Sequence, residues 1–173
     1  MLDADTEIAH AALTRDAALL EDVVREAGAL ALGLFRTELK SWIKGKSSPV
    51  SEADIAVNDL IEARLRAATP DYGWLSEESA DDSVRLGKSL TWIVDPIDGT
   101  RAYLERRDDW SVSIALVANG MPVLGAVFAP ASGRSHWQLG DGTQTARIAL
   151  RPALRATNLY TVRDAAAHGL GIA

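Results

Sequence analysis

No cysteine occurs in the 173 residues. That absence removes disulfide frameworks, thiolate zinc sites and cysteine nucleophiles together. Nor does any apolar stretch reach the roughly 18 residues that a membrane helix needs. The first ten residues, MLDADTEIAH, lack the cationic start and apolar centre of a signal or transit peptide, so a cytoplasmic protein is expected. Positive charge is scarce as well: 18 Lys and Arg face 24 Asp and Glu, for a net charge of −6. Such a balance disfavours nucleic acid polymers and anionic membranes as partners. It leaves phosphorylated small molecules open, because divalent cations can sit between acidic side chains and phosphate.

What is present fits a globular protein. Hydrophobic residues make up 47% and charged residues 24%, which excludes disordered and fibrous classes. The length suits one domain that buries roughly two-thirds of its unfolded surface. Charge is unevenly spread, with a net −9 over residues 1–141 and +3 over 142–173. In the second stretch Arg147, Arg151, Arg155 and Arg163 face a single acid, Asp164. The expected organisation is an α/β domain over 1–141 followed by an atypical tail over 142–173.

Apolar residues at Leu20, Val23, Val24, Ala27, Leu30, Ala31, Leu34 and Phe35 recur at three- and four-residue steps, which predicts an amphipathic helix over 16–36. The stretch Trp42 to Pro49 reads as a polar loop. A second helix opens at Ser51-Glu52-Ala53-Asp54, a capping-box pattern, carries Val57, Leu60, Ile61, Leu65 and Ala68 on its buried stripe, and ends at Thr69-Pro70. Short strands are expected at 72–76 and 90–94, and a further one at 135–139 after a turn over 130–133. Two more, at 110–118 and 121–129, flank Asn119-Gly120, a strong hairpin signal. The expected fold is α/β, an α+β layered sandwich with two N-terminal helices packed on a largely antiparallel sheet. Trp74, Trp92, Trp110 and Trp137 are read as core. His10, His136 and His168 stand too far apart to suggest a metal or relay site.

The chemistry concentrates in Trp92-Ile93-Val94-Asp95-Pro96-Ile97-Asp98-Gly99-Thr100. Two carboxylates three residues apart follow an apolar strand, Pro96 fixes one backbone torsion, and Gly99 permits a sharp turn. A strand end of this kind can aim both carboxylates and a backbone carbonyl at one point, the all-oxygen surroundings that Mg2+ prefers. Glu77-Glu78, after another short strand, can converge on the same point. Alone, the D-x-x-D pattern reads equally well as an Asp-Pro turn followed by a helix cap.

The complete string D-P-I-D-G-T, with W-I-V before it and E-E upstream, closely resembles the inositol monophosphatase family of Mg2+-dependent phosphatases. Lys46-Ser47-Ser48-Pro49-Val50-Ser51-Glu52-Ala53-Asp54 resembles that family's lysine loop and the segment after it, and Trp110 to Leu116 resembles the strand after the turn. The resemblance covers residues 16 to about 140, and it implies the N-terminal half of that family's fold. It also implies Glu77, Asp95, Asp98 and the Ile97 carbonyl as metal ligands, and Asp54 and Thr100 as the pair that positions the attacking water. Glu77, Asp98, Gly99 and Thr100 are implied at the substrate phosphate, with Arg101 either contacting a second phosphate or lying exposed. By position alone Asp54 is also explained as a helix cap, and Glu78 reads as a solvated surface acid.

The implied function is a Mg2+-dependent phosphomonoesterase acting on a small phosphorylated metabolite, with a homodimer suggested by the family. Arg101 to Leu104 and Arg106 to Ser113 look most like bacterial 3′(2′),5′-bisphosphate nucleotidases; inositol-phosphate and histidinol-phosphate phosphatases are the alternatives. Family members are longer and carry a second half with a W-D-x-A-A segment. Arg163-Asp164-Ala165-Ala166-Ala167 lacks its tryptophan, and Asp164 is not expected to bind metal. The tail is expected to stem from a truncation or a reading-frame change, which leaves a non-catalytic remnant that binds metal or phosphate as the alternative of another class.

Overall fold

A computed structural model of the chain describes residues 4–45, 47–130, 136–140 and 145–149. Lys46, most of the turn expected over 130–133, and most of the tail, with Asp164 and His168, lie outside the described residues. In chain order the elements are α1 (Ala4–Leu34), β1 (Ser41–Lys44), β2 (Ser48–Ser51), α2 (Glu52–Ala68), β3 (Gly73–Ser76), β4 (Leu90–Asp98), α3 (Thr100–Leu104), β5 (Ser111–Ala118), β6 (Met121–Phe128), β7 (His136–Gly140) and β8 (Thr145–Ala149). A short 3-10 turn, Ser83–Gly87, lies between β3 and β4.

Apolar periodicity explains both long helices. On α1, Leu20, Val23, Val24, Ala27 and Ala31 are buried, and on α2, Ala53, Val57, Ile61 and Leu65 are buried. Together with Trp74, Trp92, Val94, Ile114 and Leu116 from the strands, they form one core. Each fully buried Val, Leu or Ile contributes about 1.5–3 kcal/mol relative to exposure. The helix expected to begin at residue 16 in fact begins at Ala4. Ala68, expected on the buried stripe of α2, is exposed; it is the last residue of the helix, and the C-cap Thr69 is buried in its place. Close packing of α1 on β6 depends on Gly28, where an added Cβ would lie 2.3 Å from the Phe128 ring.

The main sheet has the order β3-β4-β5-β6. β3 runs parallel to β4, and the other two pairings are antiparallel. Asn119 and Gly120 take φ of 49° and 83°, the double positive φ that a two-residue hairpin turn matched to strand twist requires. Trp74, Trp92 and Trp110 are core residues, as expected. One expectation fails outright: residues 42–49 are no loop. β1 and β2 form an antiparallel hairpin, with Trp42 opposite Val50 and Lys44 opposite Ser48. Its first strand is exposed at all four positions, so it carries no alternation for a sequence to display. The hairpin leads straight into the N-cap of α2.

Candidate active site

The site grows out of an irregularity in β4. Asp95 pairs with Ser113 and Asp98 with Ser111, so three steps along β4 match two along β5. One extra residue, in the stretch holding Pro96 and Ile97, makes a β-bulge. Proline has no N–H to give to a ladder and is tolerated inside a sheet at such a bulge. The consequence for the side chains is direct. On a regular strand, residues three apart point to opposite faces; here Asp95 and Asp98 stand opposite Ser113 and Ser111, which share a face.

Gly99 follows with φ of 92°, and an added Cβ would meet the Asp109 carbonyl at 2.8 Å. Both facts call for glycine there. Chain direction then reverses into the five-residue helix α3, which begins at Thr100.

Thr100 faces the start of α2. Its hydroxyl lies 2.8 Å from Asp54 Oδ1 and 3.0 Å from the Ile97 carbonyl oxygen. Asp54 is 1% exposed, yet it is well supplied with donors. Its Oδ2 accepts from the Ser51 N–H at 2.8 Å and the Ser51 hydroxyl at 2.6 Å, completing the capping box of α2. The cap expected at Asp54 and the pairing with Thr100 are therefore both present, one on each carboxylate oxygen.

Asp95 is treated very differently. Among the described residues, its buried Oδ1 has no hydrogen-bond partner. Burial, and then the nearby carboxylates of Glu77 and Asp98, push its carboxyl up to about 8. Glu77 acts on it both through its charge and as a direct hydrogen-bonding neighbour, and both raise it. Among the described residues, no three acidic or histidine side chains form a ready-made metal cage. The donor set still fits a hard divalent cation: carboxylates on Glu77 and Asp95, a third on Asp98 from the same sheet face, the Ile97 carbonyl, and a buried oxygen without a partner. A cation there would relieve the mutual repulsion that raises Asp95.

Arg101 is exposed and makes no ion pair among the described residues. Glu78 departs from the expectation of a solvated acid. Its side chain is 6% exposed and pairs with Lys44 at 3.3 Å. Burial raises its carboxyl above the usual range, while Lys44 pulls it down. Lys44 also donates to the Glu77 carbonyl, so the β1–β2 hairpin holds the acidic loop. Sequence reasoning missed Lys44 because its partners lie 33 and 34 positions away. It also missed Asn58, whose signal is a polar side chain on the buried stripe between Asp54 and Ile61.

The chain thus combines a layered α/β fold with acidic groups gathered at a strand bulge beside an Asp–Thr pair. The sequence matches the inositol monophosphatase family over residues 12–167, and the chain belongs to that family. The match crosses the position, 141/142, where the charge balance changes. The 3′(2′),5′-bisphosphate nucleotidase CysQ of Escherichia coli strain K12 is 44% identical over 88 residues, 50% of this chain and 36% of that protein. A histidinol-phosphatase of Chlorobaculum parvum is 37% identical over 125 residues, 72% of this chain and 48% of that one. The crystal structure of CysQ from Bacteroides thetaiotaomicron, a bacterial member of the same family, aligns with a TM-score of 0.57 at 29% identity, covering 87% of this chain and 56% of the other. The chain thus spans about half the length of relatives it matches, or less.

Proposed function

We propose that this chain carries out, or contributes the metal and phosphate side of, Mg2+-dependent phosphomonoester hydrolysis. The observation that carries this reading is Asp95: a carboxyl raised to about 8, in contact with Glu77 and holding a buried oxygen without a partner. Glu77, Asp95, Asp98 and the Ile97 carbonyl would hold Mg2+. When bound, Mg2+ supplies Lewis acidity, which makes water a stronger nucleophile and offsets charge on phosphate oxygens. Thr100, with its hydroxyl against Asp54, would orient the attacking water, and Asp54 has the free lone-pair capacity to take a proton through it. Gly99 lets the main chain approach the phosphate closely.

The substrate in this reading is a 3′(2′),5′-bisphosphate nucleotide such as adenosine 3′,5′-bisphosphate. The names of the nucleotidase relatives support it, as does Arg101, an exposed cation one residue beyond Thr100 that suits a second phosphate. A histidinol-phosphate substrate is the second reading, favoured by the longer alignment with the Chlorobaculum parvum relative. The reading includes a cytoplasmic location, homodimer formation, and residues 142–173 as a tail distinct from the domain before it. The net charge of −6 supports a small metabolite over a polyanion as partner.

The test is phosphate release from adenosine 3′,5′-bisphosphate, inositol 1-phosphate and histidinol phosphate, with and without Mg2+. Release is expected from the first, dependent on Mg2+ and lost in Asp95→Asn. A folded chain that releases no phosphate from any of the three would replace this reading with that of a non-catalytic, metal-binding remnant.

A further inference from the structure

One buried polar side chain near the site has no part in the chemistry above. Asn58 is 4% exposed and sits one turn after Asp54 on α2, on the stripe that also carries Val57, Ile61 and Leu65. An apolar residue of similar size would serve packing there at least as well, since a buried amide stabilises only when its hydrogen bonds are made. Those bonds are made and, apart from a long one to neighbouring Asp59 Oδ1 at 3.5 Å, they converge on one segment. Asn58 Oδ1 accepts from the Ser76 hydroxyl at 2.6 Å, and Asn58 Nδ2 donates to the Ser79 hydroxyl oxygen at 3.2 Å. Ser76 and Ser79 bracket Glu77 and Glu78.

The bracketing serines are themselves tied down. Ser76 Oγ accepts from the Glu78 N–H at 3.3 Å, and Ser79 Oγ accepts from Trp74 Nε1 at 3.4 Å. A single amide therefore clamps both ends of a four-residue segment to α2. The same helix, one turn earlier, holds Asp54 and through it Thr100.

Building on the reading of the site as a metal-dependent hydrolase, we propose that Asn58 is a positioning residue: it fixes the Ser76–Ser79 segment, and with it Glu77, at a set distance from Asp54. Residues four apart on a helix stand side by side on one face. One turn of α2 thus spaces the two halves of the site, with Asp54 holding Thr100 and Asn58 holding the Glu77 segment. Asn58 touches neither substrate nor metal in this scheme. It acts through Ser76 and Ser79.

The test measures Mg2+ binding to the full chain by calorimetry, and amide hydrogen exchange over residues 76–79 in chelator. Asn58→Ala should weaken Mg2+ binding by roughly 10–100-fold, the usual cost of removing a group that orients a metal ligand. It should also speed exchange at Glu77 and Glu78 without speeding it across α1. Ser76→Ala combined with Asn58→Ala should weaken binding little more than Asn58→Ala alone, because the two act in one chain of contacts. Tyr72→Phe, which removes a hydrogen bond to buried Asp16 away from the acidic segment, lowers stability and should leave Mg2+ binding unchanged. Asn58→Ala protein that binds Mg2+ as tightly as Tyr72→Phe protein and exchanges 76–79 at the wild-type rate overturns the proposal. Should the wild-type chain bind no Mg2+, the metal reading of the site fails, and the exchange comparison alone decides the role of Asn58.

Discussion

Two aspartates on neighbouring elements receive opposite treatment. Asp54, at the start of α2, is almost wholly buried, and each of its oxygens has a donor within 2.8 Å. Asp95, at the bulge of β4, is only partly buried, yet one of its oxygens is left without a partner, and its carboxyl is pushed up to about 8. Burial alone does not explain the difference, since the more buried acid is the one with a donor on each oxygen. Donors do: Asp54 accepts hydrogen bonds on both oxygens, whereas Asp95 meets the carboxylates of Glu77 and Asp98, which with burial drive its carboxyl up. Asp54 is completed by its own chain. Among the described residues, Asp95 Oδ1 has no such completion.

The strongest way to break that comparison is to titrate stability in the absence of metal. In the folded chain Asp95 keeps its proton up to about 8, whereas the unfolded chain releases it near 3.8. Between those values the folded state binds the extra proton, so stability should fall as pH rises through the window and level off above it. Urea midpoints at a series of pH values, with chelator, should show this slope, and Asp95→Asn should flatten it. An equal slope in wild type and variant would mean that Asp95 is not the strained member.

The Asp54 side is sharpened by kinetics. Thr100→Val removes the hydroxyl while keeping the shape, and activity should drop by roughly 100-fold or more, the range for a lost proton-handling group. Thr100→Ser should recover most of it. Activity indifferent to both changes would leave Asp54 as a helix cap alone.

The smallest effect on the site is expected from a third buried acid. Asp16 is 1% exposed and accepts from Tyr72 Oη at 2.7 Å and from Arg15 at 2.9 Å. Like Asp54 it is completed internally, but it ties α1 to the entry of β3. Tyr72→Phe should cost about 1–3 kcal/mol of stability by chemical denaturation. It should not change the kinetics. A changed Mg2+ dependence in that variant would show that stability and site geometry are not separable here.

Much of this was legible in the sequence, for reasons that are local. Period-3.6 stripes announced both helices, Asn119-Gly120 announced its hairpin, and D-P-I-D-G-T marked the strand end and turn from which the candidate site is built. What escaped was non-local. The β1–β2 hairpin has no buried alternation in its first strand and looks like a polar loop. Glu78 looks like a surface acid until Lys44, 34 positions earlier, is folded onto it. The convergence of Asp95 and Asp98 was expected, but from a strand ending at residue 94; β4 in fact runs on to Asp98, where spacing alone would put the two acids on opposite faces. Only the pairing with Ser113 and Ser111 brings them back together.

That bulge makes residue count, more than residue identity, the constrained quantity in β4. A conservative change at Ile97 would keep the backbone carbonyl and leave the phase of the strand intact. Deleting one residue between Asp95 and Asp98 would restore a regular ladder with β5 and keep both acids on one face, but it would remove the bulge from which the Ile97 carbonyl meets the Thr100 hydroxyl. The more ideal strand would be the disabled one, so a chain of this kind tolerates spelling changes at the bulge far better than it tolerates a missing letter.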